Sequence, residues 1–304
     1  MDCLQTRVTK VDFRNPILLA SGIWGESGES LARAYAGGAG GVVSKSIGSE
    51  PRNGYPNPTI EKLEGWGLLN AMGLPNPGIV SYGEEVRFAL SKGVRVIGSV
   101  FGGTPEEFAE LSRSMEQLGV AAVELNLSCP HAKGYGSEIG ADPALLAEVV
   151  AAVKAAVHIP VWAKLTPNTQ DPAGLAEAAE TAGADAISAI NTLRAMAIDP
   201  VTMRPVLSHI SGGLSGPAIK PIGLAFVWRA FERIHIPIVG IGGISRAEDV
   251  FEYVLAGASL VEVGTAVADR GAMLFQDLAN GLDTLLRERG FTSVSEAVGA
   301  AHRK

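Results

Sequence analysis

The chain has 304 residues, 47% of them hydrophobic and 19% charged, with 37 glycines, 17 prolines and a formal net charge of −7. That length suits one α/β barrel of about 250 residues or two smaller domains; the apolar fraction excludes a disordered chain, and the mixed charges, with no Lys/Arg block, argue against a nucleic-acid binder. Two cysteines, Cys3 and Cys129, exclude a disulfide framework and a four-thiolate iron–sulfur cluster held by this chain alone. The opening stretch, MDCLQTRVTKVDFRNP, is charged and has no apolar segment, so no signal peptide is expected. No apolar run reaches the roughly 18 residues of a membrane span, and a soluble, cytoplasmic protein is expected.

Residues 6–13 read as a hairpin, and 17–20 as a first buried strand. A phrase then recurs: a helical tail, a glycine, and an apolar strand. It stands at 36–45 (AGGAGGVVSK), 91–100, 117–126, 181–190 and 255–264. Gly38, Gly93, Gly119, Gly183 and Gly257 suit the left-handed residue that ends a helix. The apolar runs lack strict alternation, as expected of strands buried on both faces. Residues 161–165 and 236–241 complete eight strands. Helical patterns cover 28–36, 77–92, 105–118, 143–157, 172–182, 223–234, 247–256 and 272–287. Thr104-Pro105, Asp142-Pro143 and Asp171-Pro172 are good helix starts, because proline needs no N–H partner there and the preceding side chain caps.

Eight strands alternating with eight helices predict a single (β/α)8 TIM barrel over 1–304, with the hairpin capping its floor and no linker. A doubly wound sheet is the alternative, but no strand–GxGxxG–helix fingerprint opens the chain. Two connections, 46–76 after the second strand and 191–222 after the sixth, are long enough to build a site at the carboxyl mouth.

Strand ends carry the chemistry. Lys45 and Ser46 follow the second strand, Asn126 through Cys129 the fourth; Lys164 lies in the fifth, and Asn191 and Thr192 follow the sixth. Lysines in apolar strands need a partner, which an anionic ligand would supply; the plain alternative is a solvated surface charge. Cys129 reads equally as a small buried hydrophobe or a reactive loop thiol. Asn126 and Asn191 either bind a ligand or tie loops to backbone. The last two strands end in glycine-rich turns, Gly240–Ser245 and Gly264-Thr265, at the positions where barrels often hold phosphate on bare N–H groups; a tight turn is the alternative. No HExxH or paired CxxC suggests a metal. Lysines, a thiol and a phosphate grip together suit an FMN enzyme, in which a cation would stabilise the reduced ring and a thiolate remove a proton.

Several motifs, in order, resemble class 1 dihydroorotate dehydrogenases: NAMGLPNPG (70–78), ELNLSCP (124–130), KLTPN (164–168), NTLRAMAID (191–199), GGLSGPAIKPI (212–222), GIGGI (240–244) and GTA (264–266). The resemblance spans about 4–290, and GGLSGPAIKPI points to the catalytic subunit of the NAD-linked 1B type. The membrane-binding extension of class 2 has no counterpart here.

The resemblance implies an FMN-holding barrel that oxidises (S)-dihydroorotate to orotate in pyrimidine (UMP) biosynthesis. It implies Cys129 as the base that takes the C5 proton while hydride leaves C6. It implies FMN contacts at Ser21, Lys45, Ser46, Ser99, Asn126 and Lys164, and at Ile190, Gly216, Gly242, Gly243, Gly264 and Thr265. Ser99 stands where family members often carry Asn. Substrate contacts are implied at Lys45, Asn70, Ala71, Met72, Gly73 and Leu74, and at Asn126, Asn191 and Thr192. His131 stands where many members have Asn, in a loop, 131–141, of uncommon form; it reads as a second polar contact or, preferably, as a loop residue. The 1B resemblance also implies an electron-transfer subunit carrying FAD and [2Fe–2S], and a homodimer within a heterotetramer. Two rivals are a dihydropyrimidine or uracil-type reductase, which shares a similar SCPH stretch, and a non-catalytic FMN- or phosphate-binding barrel. The segment 70–74, suited to a carboxylate, separates the first from a dihydroorotate enzyme, and Cys129 separates the second.

Overall fold

A computed structural model describes residues 2–127, 140 and 142–303. The chain opens with the hairpin β1 (Thr6–Val8) and β2 (Val11–Phe13), then runs β3 (Ile17–Leu19), α1 (Gly28–Ala36) and β4 (Gly41–Val43). An excursion carries β5 (Ile60–Leu63) and β6 (Gly67–Asn70) before α2 (Gly78–Ser91). Next come β7 (Val96–Val100), α3 (Pro105–Leu118), β8 (Ala122–Asn126), α4 (Pro143–Ala156), β9 (Val161–Leu165), α5 (Pro172–Thr181) and β10 (Ala186–Ala189). A second excursion holds β11 (Leu193–Ala195), β12 (Ile198–Asp199), β13 (Arg204–Pro205) and β14 (Gly212–Ser215). The chain then continues through α6 (Lys220–Phe231), β15 (Ile238–Ile241), α7 (Ala247–Leu255), β16 (Ala258–Val263), α8 (Thr265–Arg270) and α9 (Leu274–Glu288).

Strands β3, β4, β7, β8, β9, β10, β15 and β16 form a closed parallel barrel, in that order around the ring. These are the eight strands expected from the apolar runs. Each strand is covered on both faces, by the helices on one and by the barrel interior on the other, which is why the runs are largely apolar without strict alternation. The proline starts behave as the sequence predicts. Thr104 accepts from the Glu107 N–H, Asp142 from the Ala144 and Leu145 N–H groups, and Asp171 from the Gly174 N–H. The five glycines after the helical tails all take positive φ.

Two helix expectations need correction. The sixth helix spans Lys220–Phe231, not 223–234. Pro221 sits in its first turn, where the missing N–H has no intrahelical partner to lose, so the helix starts before it. The last strand is followed by three helices, α8, α9 and a short α10 (Val294–Ala297), and Gly271 (φ 68) turns the chain between the first two.

The two excursions meet. Strands β5, β6, β14 and β11 form one antiparallel sheet in which Asn70 stands opposite Gly213. The chain after the second barrel strand is thereby fastened to the chain after the sixth, across the barrel mouth. Gly67 allows the close approach, since a Cβ there would meet the Ser215 carbonyl oxygen at 1.9 Å.

At the opposite end, one inward side chain from each barrel strand, running from Leu18 through Ile97 and Trp162 to Leu260, packs against Val8, Val11 and Phe13 of the hairpin. The Trp162 ring is fully buried, lies 6.3 Å from that of Phe13, and donates its indole N–H to the Thr9 Oγ1 at 3.0 Å. Among the described residues, no helix is long and apolar enough to cross a membrane. Replacing Trp162 by Ala opens a large hole in this floor and is expected to cost about 3–5 kcal/mol in urea unfolding; a loss below about 1 kcal/mol would show that the ring does not hold the floor together.

Candidate functional site

Side chains two residues apart on a strand face the same way. Counting two positions up from the apolar floor gives the next inward layer. Four of its members are uncharged: Ala20, Ser99, Ser188 and Ile241. The other four are Lys45, Glu124, Lys164 and Glu262, each 6% exposed or less. The interior therefore passes from hydrocarbon to charge within one layer.

Lys164 lies at the centre of this change. Its Nζ stands 3.2 Å from Glu124 Oε1 and 3.0 Å from Glu262 Oε2. Burial alone would lower the lysine pKa, but the attraction of Glu124 and then Glu262 outweighs it and holds the ammonium above its usual range. Lys45 has its own partner, with Nζ 2.9 Å from Glu26 Oε1. Glu26 is 68% exposed, so that pair reaches from the interior to solvent. The lysines expected to need an anionic partner thus each find one within the chain.

Above this layer a cavity of about 590 Å³ opens at the carboxyl ends of the strands. Lys45, Lys164 and Glu262 line its base. Ser21, Ser46, Asn126, Asn191 and Thr192 line it as well, and they form a connected polar chain. Ser46 Oγ lies 3.2 Å from Ser21 Oγ and accepts from Asn126 Nδ2 at 3.1 Å; Asn191 Nδ2 donates to Asn126 Oδ1 at 3.2 Å. The Thr192 N–H donates to Asn191 Oδ1 at 2.7 Å. Ser99 does not line the cavity. It is fully buried, with Oγ 2.8 Å from Ser46 Oγ, and reaches the site only through that hydroxyl.

Asn70, Met72 and Leu74 line the cavity where β6 turns back into the barrel. The Asn70 amide donates to the Gly213 carbonyl at 3.1 Å, so the antiparallel sheet fixes its orientation. Ala71 and Gly73 lie between these positions and do not line the cavity. The Ala71 N–H donates to Thr59 O at 2.8 Å, and Gly73 packs beneath Tyr55.

The far end is lined by Ile190, Gly216, Gly242, Gly243, Gly264 and Thr265. Gly243 has φ +69, and a Cβ there would stand 2.7 Å from Lys220 Cβ and 2.9 Å from Gly216 O, so only glycine fits. Asp249 pins this turn: Oδ2 accepts from the Ser245 and Arg246 N–H groups, both at 2.9 Å, and Oδ1 receives Lys220 Nζ at 2.7 Å. Thr265 Oγ1 donates to Ser215 Oγ at 2.8 Å, tying the last turn to the second excursion.

Cys129 and His131, with the rest of the 131–141 loop apart from Gly140, lie outside the described residues. Glu262 and Glu26 also line the cavity and were not singled out from sequence. Glu262 had a signal, because a glutamate inside ASLVEVG is a charge in a run otherwise buried on both faces. Glu26, in a short loop, had none. Among the described residues, no group of three or more His, Cys, Asp or Glu could hold a metal ion.

A family model described as dihydroorotate dehydrogenase matches residues 3–286. A Pyrococcus abyssi protein is 52% identical over 298 residues, covering 98% of this chain and 99% of that protein. One from Methanocaldococcus jannaschii is 50% identical over 303 residues, covering 98% of each. One from Methanosarcina mazei is 46% identical over 301 residues, covering 98% of this chain and 95% of its own. All three relatives carry the name dihydroorotate dehydrogenase B (NAD+), catalytic subunit.

The buried ion cluster makes a stability prediction. Lys164→Met leaves two carboxyl groups inside the barrel without a counter-charge and is expected to cost about 3–5 kcal/mol at neutral pH. Without the pull of the cation the Glu262 carboxyl rises further above its usual range in the folded state. Above the unfolded value of about 4.3 the folded variant then binds more protons than the unfolded chain, so its stability falls as pH rises. Urea unfolding at mildly acidic and neutral pH checks this; a deficit that does not shrink in acid would contradict it.

Proposed function

The chain belongs to the dihydroorotate dehydrogenase family, and from that premise we propose how its residues oxidise dihydroorotate in an NAD-linked enzyme of pyrimidine biosynthesis. The reading rests on one observation: a single cavity at the barrel mouth brings together two buried lysines, a chain of amides and hydroxyls, and a glycine turn with exposed backbone.

FMN fits these residues. Gly242, Gly243, Gly264 and Thr265 offer bare backbone and a hydroxyl for its phosphate, in a turn already held by Asp249. Ile190 and Gly216 would contact FMN, and Ser21, Ser46 and Asn126 would supply polar contacts, with Ser99 behind Ser46. Bound there, FMN supplies the hydride acceptor. Lys164 places positive charge at the base of the cavity, where it favours negative charge on the ring above.

The substrate sits towards the excursions. Asn70, Met72 and Leu74 form the wall suited to its carboxylate, and Lys45 supplies the cation. Asn126, Asn191 and Thr192 hold the amide edges of the pyrimidine. Their mutual hydrogen bonds set their orientation before a ligand arrives. Cys129 takes the C5 proton as hydride departs from C6. The thiolate is the competent form, and a free cysteine titrates near about 8.5, so the reductive half-reaction should quicken as pH rises towards that range.

The name borne by the relatives, a catalytic subunit linked to NAD+, supports a second subunit that passes electrons onward. FAD and [2Fe–2S] on that subunit would connect a two-electron donor to NAD. A homodimer of this chain within a heterotetramer is the assembly proposed.

Cys129→Ala should keep its FMN and lose about 10²- to 10⁴-fold in the rate of anaerobic flavin bleaching by dihydroorotate. Bleaching at the wild-type rate would remove Cys129 from the role of base. Orotate should perturb the flavin spectrum at concentrations where uracil does not; equal affinity for the two would favour a uracil-type reductase.

A further inference from the structure

The ion cluster at the base of the cavity does not balance. One ammonium, Lys164, faces two carboxyl groups, Glu124 and Glu262, and neither carboxyl is more than 1% exposed. Each gives one oxygen to Nζ. The second oxygen of each, Glu124 Oε2 and Glu262 Oε1, has no hydrogen-bond partner. An unsatisfied carboxylate oxygen in such a place is costly, and two in one cluster more so. One added proton would leave a single charge of each sign in the cluster and turn one of these carboxyls from an acceptor without a donor into a neutral group.

We propose that Glu124 and Glu262 share one proton at neutral pH, and that this proton keeps the layer beneath the flavin electrically neutral and thereby sets the flavin's reduction potential. The proposal rests on the reading that a flavin occupies the cavity. Both glutamates act as positioning residues, through Lys164.

Among the described residues of this layer no further cation faces the two carboxyls; the Ser188 hydroxyl, beside Lys164 on β10, makes no hydrogen bond to either. Glu124 projects from β8, between β7 and β9; the inward groups beside it are Ser99 and Lys164. Glu262 projects from β16, between β15 and β3, where the inward groups are Ile241 and Ala20. The remaining charge in the layer, Lys45, is engaged with Glu26 at the mouth. Burial first, and then the Glu124 charge, push the Glu262 carboxyl well above its usual range, against the pull of Lys164. With both glutamates ionised the cluster would carry one net negative charge beside the ring. With one proton it carries none, and Lys164 keeps its attraction for negative charge developing above it.

Two variants isolate the proton. In E124Q a single carboxylate faces Lys164, so the cluster stays neutral with no proton to lose. In the double variant E124Q/E262Q the ammonium stands alone. The flavin potential should be measured by redox titration of the FMN-loaded chain from neutral to alkaline pH. Wild type should show an extra fall in potential as the shared proton leaves, and E124Q should lack it. The double variant should favour reduced flavin by about tenfold or more at a fixed solution potential. A merely structural role would move none of these, so an extra fall retained in E124Q, or an unmoved potential in a folded double variant, overturns the proposal.

The proton can also be read without a flavin. Infrared spectra of the full apo-chain at neutral pH should contain the carbonyl band of a buried protonated carboxyl, and E124Q should lose it. Absence of the band in wild type overturns the proposal even if FMN binds. Presence of the band in a chain that takes up no FMN would leave the proton in place and sink the reading of the site instead. Should the double variant fail to fold, the infrared comparison of wild type with E124Q decides alone.

Discussion

An ammonium group in the middle of a closed barrel cannot stay there without counter-charge, and much of the site depends on how Lys164 is neutralised. Two glutamates, Glu124 from the neighbouring strand β8 and Glu262 from β16 farther round the ring, hold the ammonium in the layer between the floor and the cavity. That layer is possible only because the one below is fully apolar and plugged by Trp162 and the hairpin, which keep water from entering from beneath. The result is a fixed charge distribution at the base of the cavity, arranged before any ligand binds. Such preorganisation is worth more than mobile charge in water, because it needs no rearrangement when charge develops.

The walls obey a different constraint. A barrel strand ends at the mouth, so a ligand there must be enclosed by the connections that leave the strand ends. Here the two long excursions pair with each other rather than standing as separate loops. The segment carrying Asn70, Met72 and Leu74 is thus held by a chain portion some distance away in sequence. The glycine turn at the other end is held by Asp249 and Lys220, and the Thr265–Ser215 hydrogen bond joins that turn to the same sheet. Base, wall and phosphate grip form one connected frame, in which a change in one loop is felt by the others.

Much of this was legible in the amino-acid sequence. The eight strands, the hairpin, the capped proline starts and the two long connections arise from local chemistry: apolar runs, side-chain caps and glycines that accept positive φ. Lys45, Lys164, Asn126 and Asn191 were visible because polar groups in or just after a buried run are expensive and so draw notice. The glycine turns after the last two strands were visible by their place in the count of eight. The dehydrogenase reading itself came from resemblance rather than from spacing.

What the sequence determined by itself was the alternation of elements and which strand ends carry polar groups, because propensity, capping and period-two burial act between near neighbours. Only the tertiary structure decided which of those groups meet. The pairing of Asn70 with Gly213, the placement of Ser99 behind Ser46, and the convergence of Glu124 and Glu262 on one ammonium depend on the closure of the ring and the relative register of its strands. Those are set by contacts between residues far apart in the chain, and no local pattern encodes a distance across a barrel.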